Sequence, residues 1–125
     1  MEKPPILLNL LVLRSPSIDR AVNFYNVLGL QFCKHSHGTG PKHYACELPG
    51  MVFEIYPSSA KQPTTTSTRL GFSVRAIDSL ISKLHDKGAK IISKPSNSEW
   101  GRRAVVEDFD GHTVELTSKH SKLND

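Results

Sequence analysis

Residues 8–13 form a short, mostly apolar run that ends at Arg14-Ser-Pro-Ser17. The run is long enough for one strand, and Ser17 is the kind of residue that caps a helix N-terminus. Ile18, Ala21, Val22, Tyr25 and Leu28 then recur at spacings of three and four, which predicts an amphipathic helix stopped by Gly29. Beyond it the period changes to two, and strands are predicted over 31–36, 42–48 and 51–56. The turns between them are His37-Gly-Thr-Gly-Pro41 and Pro49-Gly50. The second half repeats this order. A strand is predicted over 68–74, a helix over 77–87, and strands over 90–93, 103–107 and 113–118, the last two joined by Asp108-Phe-Asp-Gly111.

The two halves are copies of one unit. A shift of 59 positions lays Leu11 on Leu70, Ile18 on Ile77, Asp19 on Asp78 and Gly29 on Gly88. With two more residues inserted, Gly50-Met-Val-Phe-Glu54 falls on Gly111-His-Thr-Val-Glu115. A period this long, present twice, is a duplicated module and not a solenoid. The modules run over 6–57 and 67–118, joined by a polar linker at 58–66 and followed by a polar tail at 119–125. The expected fold is therefore α+β within a single domain over 1–125. Tandem βαβββ modules would form a curved mixed sheet around a cleft, with the helices on the outer face.

Alternation along the strands assigns two faces. Leu11, Leu13, Phe53, Ile55, Leu70, Phe72, Val74, Val114 and Leu116 fall on an apolar face that can cover the helices. The other face is mixed: Leu10, Val12, Arg14, Glu54, Tyr56, Arg69, Thr113 and Glu115 lie on it. Counting back across Pro49-Gly50 pairs Ala45 with Glu54 and adds His43 to that face. The same count across the last turn pairs Ala104 with Glu115 and adds Arg102. Such a face makes the floor of a polar cavity.

Composition narrows the function. The 125 residues carry a net charge of +4, but the basic residues are scattered among acids and form no footprint for nucleic acid. No apolar run is long enough to span a membrane, and the N-terminus has no leader pattern. Two cysteines, Cys33 and Cys46, are too few for a secreted disulfide scaffold, so a cytoplasmic protein is expected. Gly38-Thr-Gly40 sits in a hairpin turn and lacks the helix that would hold phosphate. Cys33, His35 and His37 alternate along one strand face and form a metal-like set, although the spacing is not that of a structural zinc site and a fourth ligand is missing.

The segments Ile18-Asp-Arg-Ala-Val-Asn-Phe-Tyr25-Asn-Val-Leu28-Gly29-Leu30, Val52-Phe-Glu54-Ile-Tyr-Pro57, Leu70-Gly-Phe-Ser-Val74 and Asp108-Phe-Asp-Gly111-His-Thr-Val-Glu115-Leu116 together resemble the vicinal oxygen chelate superfamily. That family includes glyoxalase I, the extradiol dioxygenases and the fosfomycin and bleomycin resistance proteins. The resemblance covers residues 6 to 118 and implies the duplicated βαβββ order read above. It also implies a small-molecule ligand and a homodimer. Metal-dependent members place ligands at positions that fall here on Leu10, Glu54, Arg69 and Glu115. Both carboxylates match; an aliphatic and a guanidinium side chain do not.

The expectation is thus a protein that binds or sequesters a small organic ligand in a charged cavity. No cofactor is expected, and any divalent metal would have only Glu54 and Glu115 as ligands. Arg69 is expected to take over the electrostatic role of the ion by pairing with the two facing acids. His43, Tyr56, Trp100 and Arg102 are the further ligand-binding candidates, with Trp100 placed to stack on a flat molecule. The alternative is a glyoxalase-like lyase or isomerase, with or without a metal, in which Glu115 or Glu54 moves the proton.

Overall fold

The computed structural model describes residues 3–119. Its elements run β1 (Leu10–Ser15), α1 (Ile18–Val27), β2 (Cys33–His35), β3 (His43–Leu48), β4 (Met51–Pro57), β5 (Arg69–Ser73), α2 (Ile77–Asp86), β6 (Lys90–Ser98), β7 (Gly101–Glu107) and β8 (Thr113–Ser118). They form two four-stranded sheets, ordered β1-β4-β3-β2 and β5-β8-β7-β6. In each sheet the first strand of the module lies parallel to its last strand, and the remaining neighbours are antiparallel. The architecture is α+β, with the same βαβββ unit built twice.

The apolar face predicted from the alternation is where the core forms. Leu13, Phe53, Ile55, Leu70, Val114 and Leu116 are buried there, with Leu11, Phe72 and Val74 partly buried beside them. α1 presses Ala21, Val22, Phe24 and Tyr25 onto this layer, and α2 adds Ile77, Ile81 and Leu84. One hydrophobic cluster contains residues of both modules. The rings of Tyr25 and Phe53 in the first module lie 6.1 and 6.3 Å from Phe72 in the second. Burying each such aromatic side chain stabilises the fold by roughly 2–3 kcal/mol.

The two helices start differently. Ser17 has extended backbone and its side chain accepts from the Arg20 amide, as expected of an N-cap. At the equivalent place in α2 stands Ala76, in the left-handed region at φ 49° and with no side chain able to cap. The Ser58 amide extends the β1–β4 ladder by donating to the Ser15 carbonyl, and on the free side of β1 the Thr65 amide donates to the Arg14 carbonyl while Thr65 Oγ1 accepts from the Arg14 amide. The linker thereby covers an otherwise open sheet edge.

Two departures from the sequence-based expectation matter for the site. β6 continues to Ser98, with register shifts around Ser93, because Pro95 has no amide to give to a regular ladder. The hairpin between β7 and β8 is one residue longer than Asp108-Phe-Asp-Gly111 suggests. Asp108 Oδ1 accepts from the amides of Asp110 and His112, which draws His112 into the turn. Glu115 is therefore opposite Val105, and Ala104 is opposite Leu116. This single step exchanges the faces of Arg102 and Arg103. Arg102 turns toward the helix layer, where it pairs with Asp78 of α2 at 2.8 and 3.0 Å and with Asn97 at 2.9 Å. Arg103 takes the place beside Glu115 that Arg102 was expected to fill.

Candidate functional site

The mixed faces of the two sheets carry separate clusters, each centred on one of the equivalent glutamates. In the first sheet the register sets Val12, Glu54 and Ala45 side by side, with His35 opposite His43 one pair further along. Glu54 is mostly covered, and its Oε2 lies 3.5 Å from Nε2 of the buried His43. His43 stacks face to face on Tyr56, with ring centres 4.1 Å apart, and the Arg14 guanidinium sits 5.1 Å from the Tyr56 ring centre. Two hollows of about 690 and 670 Å³ meet at Glu54. One runs over Cys33, His35 and Glu47, the other over Leu10, Arg14, Tyr56 and Thr65.

The second sheet holds a carboxylate gripped by two guanidiniums. Arg69 donates to Glu115 Oε2 from Nη2 at 2.9 Å and from Nε at 3.3 Å, and Arg103 donates from Nε to Oε1 at 2.6 Å. Hydrogen bonds from Arg103 and then Arg69 hold the Glu115 carboxyl below its ordinary range, against a smaller opposing effect of burial. The same contact pushes the Arg103 guanidinium up. All three side chains keep access to solvent. Beside them, a hollow of about 170 Å³ is bordered by Trp100, Arg102, Arg103, Glu115 and Thr117, and Trp100 is 81% exposed. Gly101 permits this turn because a Cβ there would sit 2.0 Å from the Ser118 carbonyl oxygen.

The sequence-predicted residues are thus divided. Arg69 meets Glu115 but not Glu54, and His43 and Tyr56 join Glu54. Trp100 stands by Glu115, and Arg102 belongs to the helix side. Among the described contacts of Glu54 and Glu115, no residue is shared. Arg103 was missed on the hairpin count, although its neighbour Arg102 had been singled out.

A second group was missed entirely. Tyr25 donates to Asp108 Oδ2 at 2.5 Å, His112 Nδ1 lies 2.7 Å from the same oxygen, and His112 Nε2 lies 2.7 Å from Thr65 Oγ1. Burial, reinforced by Asp108, pushes the Tyr25 hydroxyl far above its ordinary range. Burial alone would push Asp108 up, but the hydrogen bonds from His112 and Tyr25 outweigh it and hold the carboxyl down. This chain ties α1 and the linker to the β7–β8 turn. Its sequence signal was the Asp108-x-x-x-His112 spacing, which strand periodicity does not weigh.

The positions at which metal-dependent relatives hold an ion do not fit one here. Leu10 is aliphatic and half exposed, and Arg69 brings a fixed positive charge to Glu115. Among the described residues, no group of three or more His, Cys, Asp or Glu is arranged to hold a metal ion. No described helix is long and apolar enough to cross a membrane.

Solved structures share this fold at low sequence identity. An antibiotic binding protein from Streptomyces sp. CB03234, TnmS3, matches with a TM-score of 0.74 and 19% identity over 95% of this chain and 100% of its own. A glyoxalase family protein from Bacillus cereus matches with a TM-score of 0.74 and 19% identity over 97% and 99%. The oxidase ChaP-H2 matches with a TM-score of 0.71 and 20% identity over 94% and 96%. Comparison with curated proteins finds no match. The model of the Glyoxalase/Bleomycin resistance protein/Dioxygenase superfamily matches residues 7–116, nearly the whole length, and the chain belongs to that superfamily.

Proposed function

We propose that the protein binds a small, flat, anionic organic molecule, and that it does so without the divalent ion used by metal-dependent relatives. The observation that carries this is the clamp on Glu115. Two guanidiniums answer one carboxylate, so the cluster keeps a net positive charge and unused N–H donors, next to an exposed indole. A carboxylate on a planar ring system satisfies both features, through charge-assisted hydrogen bonds and stacking. The likeness to an antibiotic binding protein supports a sequestering role.

A cavity enclosed by both glutamate clusters is completed by a second copy of the chain. The mixed face of the first sheet in one protomer then meets the mixed face of the second sheet in its partner. The exposed apolar residues Ile6, Leu7, Leu8 and Leu10, at and just before the start of β1, favour such coverage. Two unpaired cysteines agree with a reducing, cytoplasmic setting.

A lyase or isomerase activity is a second reading, and it falls on Glu54. Glu115 is held ionised and hydrogen-bonded by two arginines, which makes it a weak base, whereas among the described residues Glu54 has His43 as its ionic neighbour. A thermal-shift screen with matched planar carboxylates and planar amines tests the binding proposal. Stabilisation by the carboxylates is expected. Stabilisation by the amines alone would contradict it.

A further inference from the structure

We propose that residues 3–9 form an arm that adds as an extra strand to the free edge of β5 in a second copy of the chain, each copy giving one arm and receiving one. The proposal names the contact that holds the second copy invoked above, and it rests on that reading. The arm, Lys3-Pro-Pro-Ile-Leu-Leu-Asn9, leads into β1 and is left uncovered: Ile6 is 100% exposed, Leu7 66% and Leu8 71%. With half-exposed Leu10 these side chains leave on the order of 500 Å² of apolar surface, the size at which a soluble protein carries a partner site. Two arms, with the surfaces they meet, come to roughly 1,200–2,000 Å², the range of a stable dimer.

The internal repeat shows which edge is open. In the parallel pair of β5 with β8, the Thr68 carbonyl accepts from the Thr113 amide and the Val74 amide donates to the Thr117 carbonyl. Even-numbered residues of β5 therefore turn their backbone groups to β8, and Arg69, Gly71 and Ser73 turn theirs away, at the end of the sheet. On the equivalent edge of β1, both backbone groups of Arg14 are taken by the linker residue Thr65. The residue 59 positions on is Ser73, which is exposed. β5 is also the edge with the fewest defences. β2 is three residues long and carries Lys34, and β6 is interrupted by Pro95 and register shifts. β5 is five regular residues with neither a proline nor a bulge.

The arm does not turn back onto its own β5. The linker reaches Arg14 through Ser67, which stands in the left-handed region at φ 63°. The equivalent residue of the arm is Leu8, which lies outside that region, as its Cβ favours. Without that turn, Ile6, Leu7 and Leu8 stay in solvent until a partner supplies an edge. Pairing there also joins the two glutamate clusters. The arm leads into β1, whose Val12 lies beside Glu54, and β5 carries Arg69 of the Glu115 clamp.

Residue-resolved amide exchange, with native mass spectrometry, tests the proposal on the full chain. As concentration rises through dimer formation, the Gly71 and Ser73 amides should slow by about 10-fold or more, while Leu70 and Phe72 stay protected throughout. Deleting residues 3–8 leaves the Asn9 carbonyl on the Val52 amide. The deletion should weaken the dimer by about 100-fold or more and remove the protection of Gly71 and Ser73. Leu7→Asp combined with Leu8→Asp keeps the arm's length and should do the same, and circular dichroism should show both variants folded. A dimer without protection at Gly71 and Ser73, or one unaffected by the deletion, would overturn the arm pairing and leave the second-copy reading standing. Protection independent of concentration would place the contact within one chain and overturn the exchange. A parent that stays monomeric at high concentration would overturn both.

Discussion

Asp108 is the residue on which the most depends for its size. Four donors converge on its carboxylate: the amides of Asp110 and His112, the Tyr25 hydroxyl and the His112 ring. Because its carboxyl is held below the ordinary value of 3.8, folding favours the ionised form. That contribution is fully present above the unfolded pKa and is lost as pH falls through the lower, folded pKa. Asp108→Asn should therefore cost about 2–3 kcal/mol near neutrality, the range for hydrogen bonds to a buried charged group. Urea unfolding at several pH values should show the gap between parent and variant shrinking only below about pH 4. A gap that stayed constant down to pH 2.5 would mean that the ionised carboxylate is not what the network stabilises.

The elements show which parts of the fold were legible in the sequence. Ile18, Ala21, Val22 and Tyr25 mark α1 because a helix buries one stripe. Phe53, Ile55, Val114 and Leu116 mark their strands because a sheet on helices buries alternate residues. The β7–β8 hairpin was not legible to the residue, because its length is set by Asp108 capturing two amides, and no hydrophobic period records that. One residue of loop was enough to exchange Arg102 for Arg103. β6 was read too short for the opposite reason, since Pro95 and polar neighbours look like a loop although the strand continues past a bulge. The same comparison of copies isolates a defect at the start of α2. Ala76 occupies a left-handed conformation where Ser17 provides a cap in α1. Ala76→Gly should stabilise the protein by about 1 kcal/mol, the typical cost of that conformation for a residue with a Cβ. Thermal unfolding checks it, and a lower melting temperature would show that Ala76 gains more from its surroundings than it loses in strain.

At the scale of the molecule, duplication explains both the success and the limit of sequence reasoning about the site. Equivalence of Glu54 and Glu115 follows from the repeat, but equivalence is not apposition. The two modules share a core through their apolar faces, and the clusters on their mixed faces have no contact in common. A cavity built across two protomers makes a specific prediction. Glu54→Gln and Arg103→Met, each made in a separate chain and each weakening ligand binding alone, should recover binding at half of the composite sites of mixed dimers. Native mass spectrometry of the mixture, with ligand titration, reads both the mixed dimer and the recovery. Variants that fail to complement while forming mixed dimers would place each site within one chain.

In the proposed function, arginines on Glu115, beside Trp100, receive a planar anion where metal-dependent relatives hold an ion. Trp100 is the sole tryptophan of the chain, so its fluorescence reports on that site. Titration with a planar aromatic carboxylate and with the matching amine is the most direct test. Saturable quenching by the carboxylate alone is expected, weakened about 10-fold or more by Arg103→Met, in keeping with one charge-assisted hydrogen bond, and weakened less by Arg102→Met, whose guanidinium is held by Asp78. Equal quenching by the amine, or an effect of Arg102→Met in place of Arg103→Met, would contradict it.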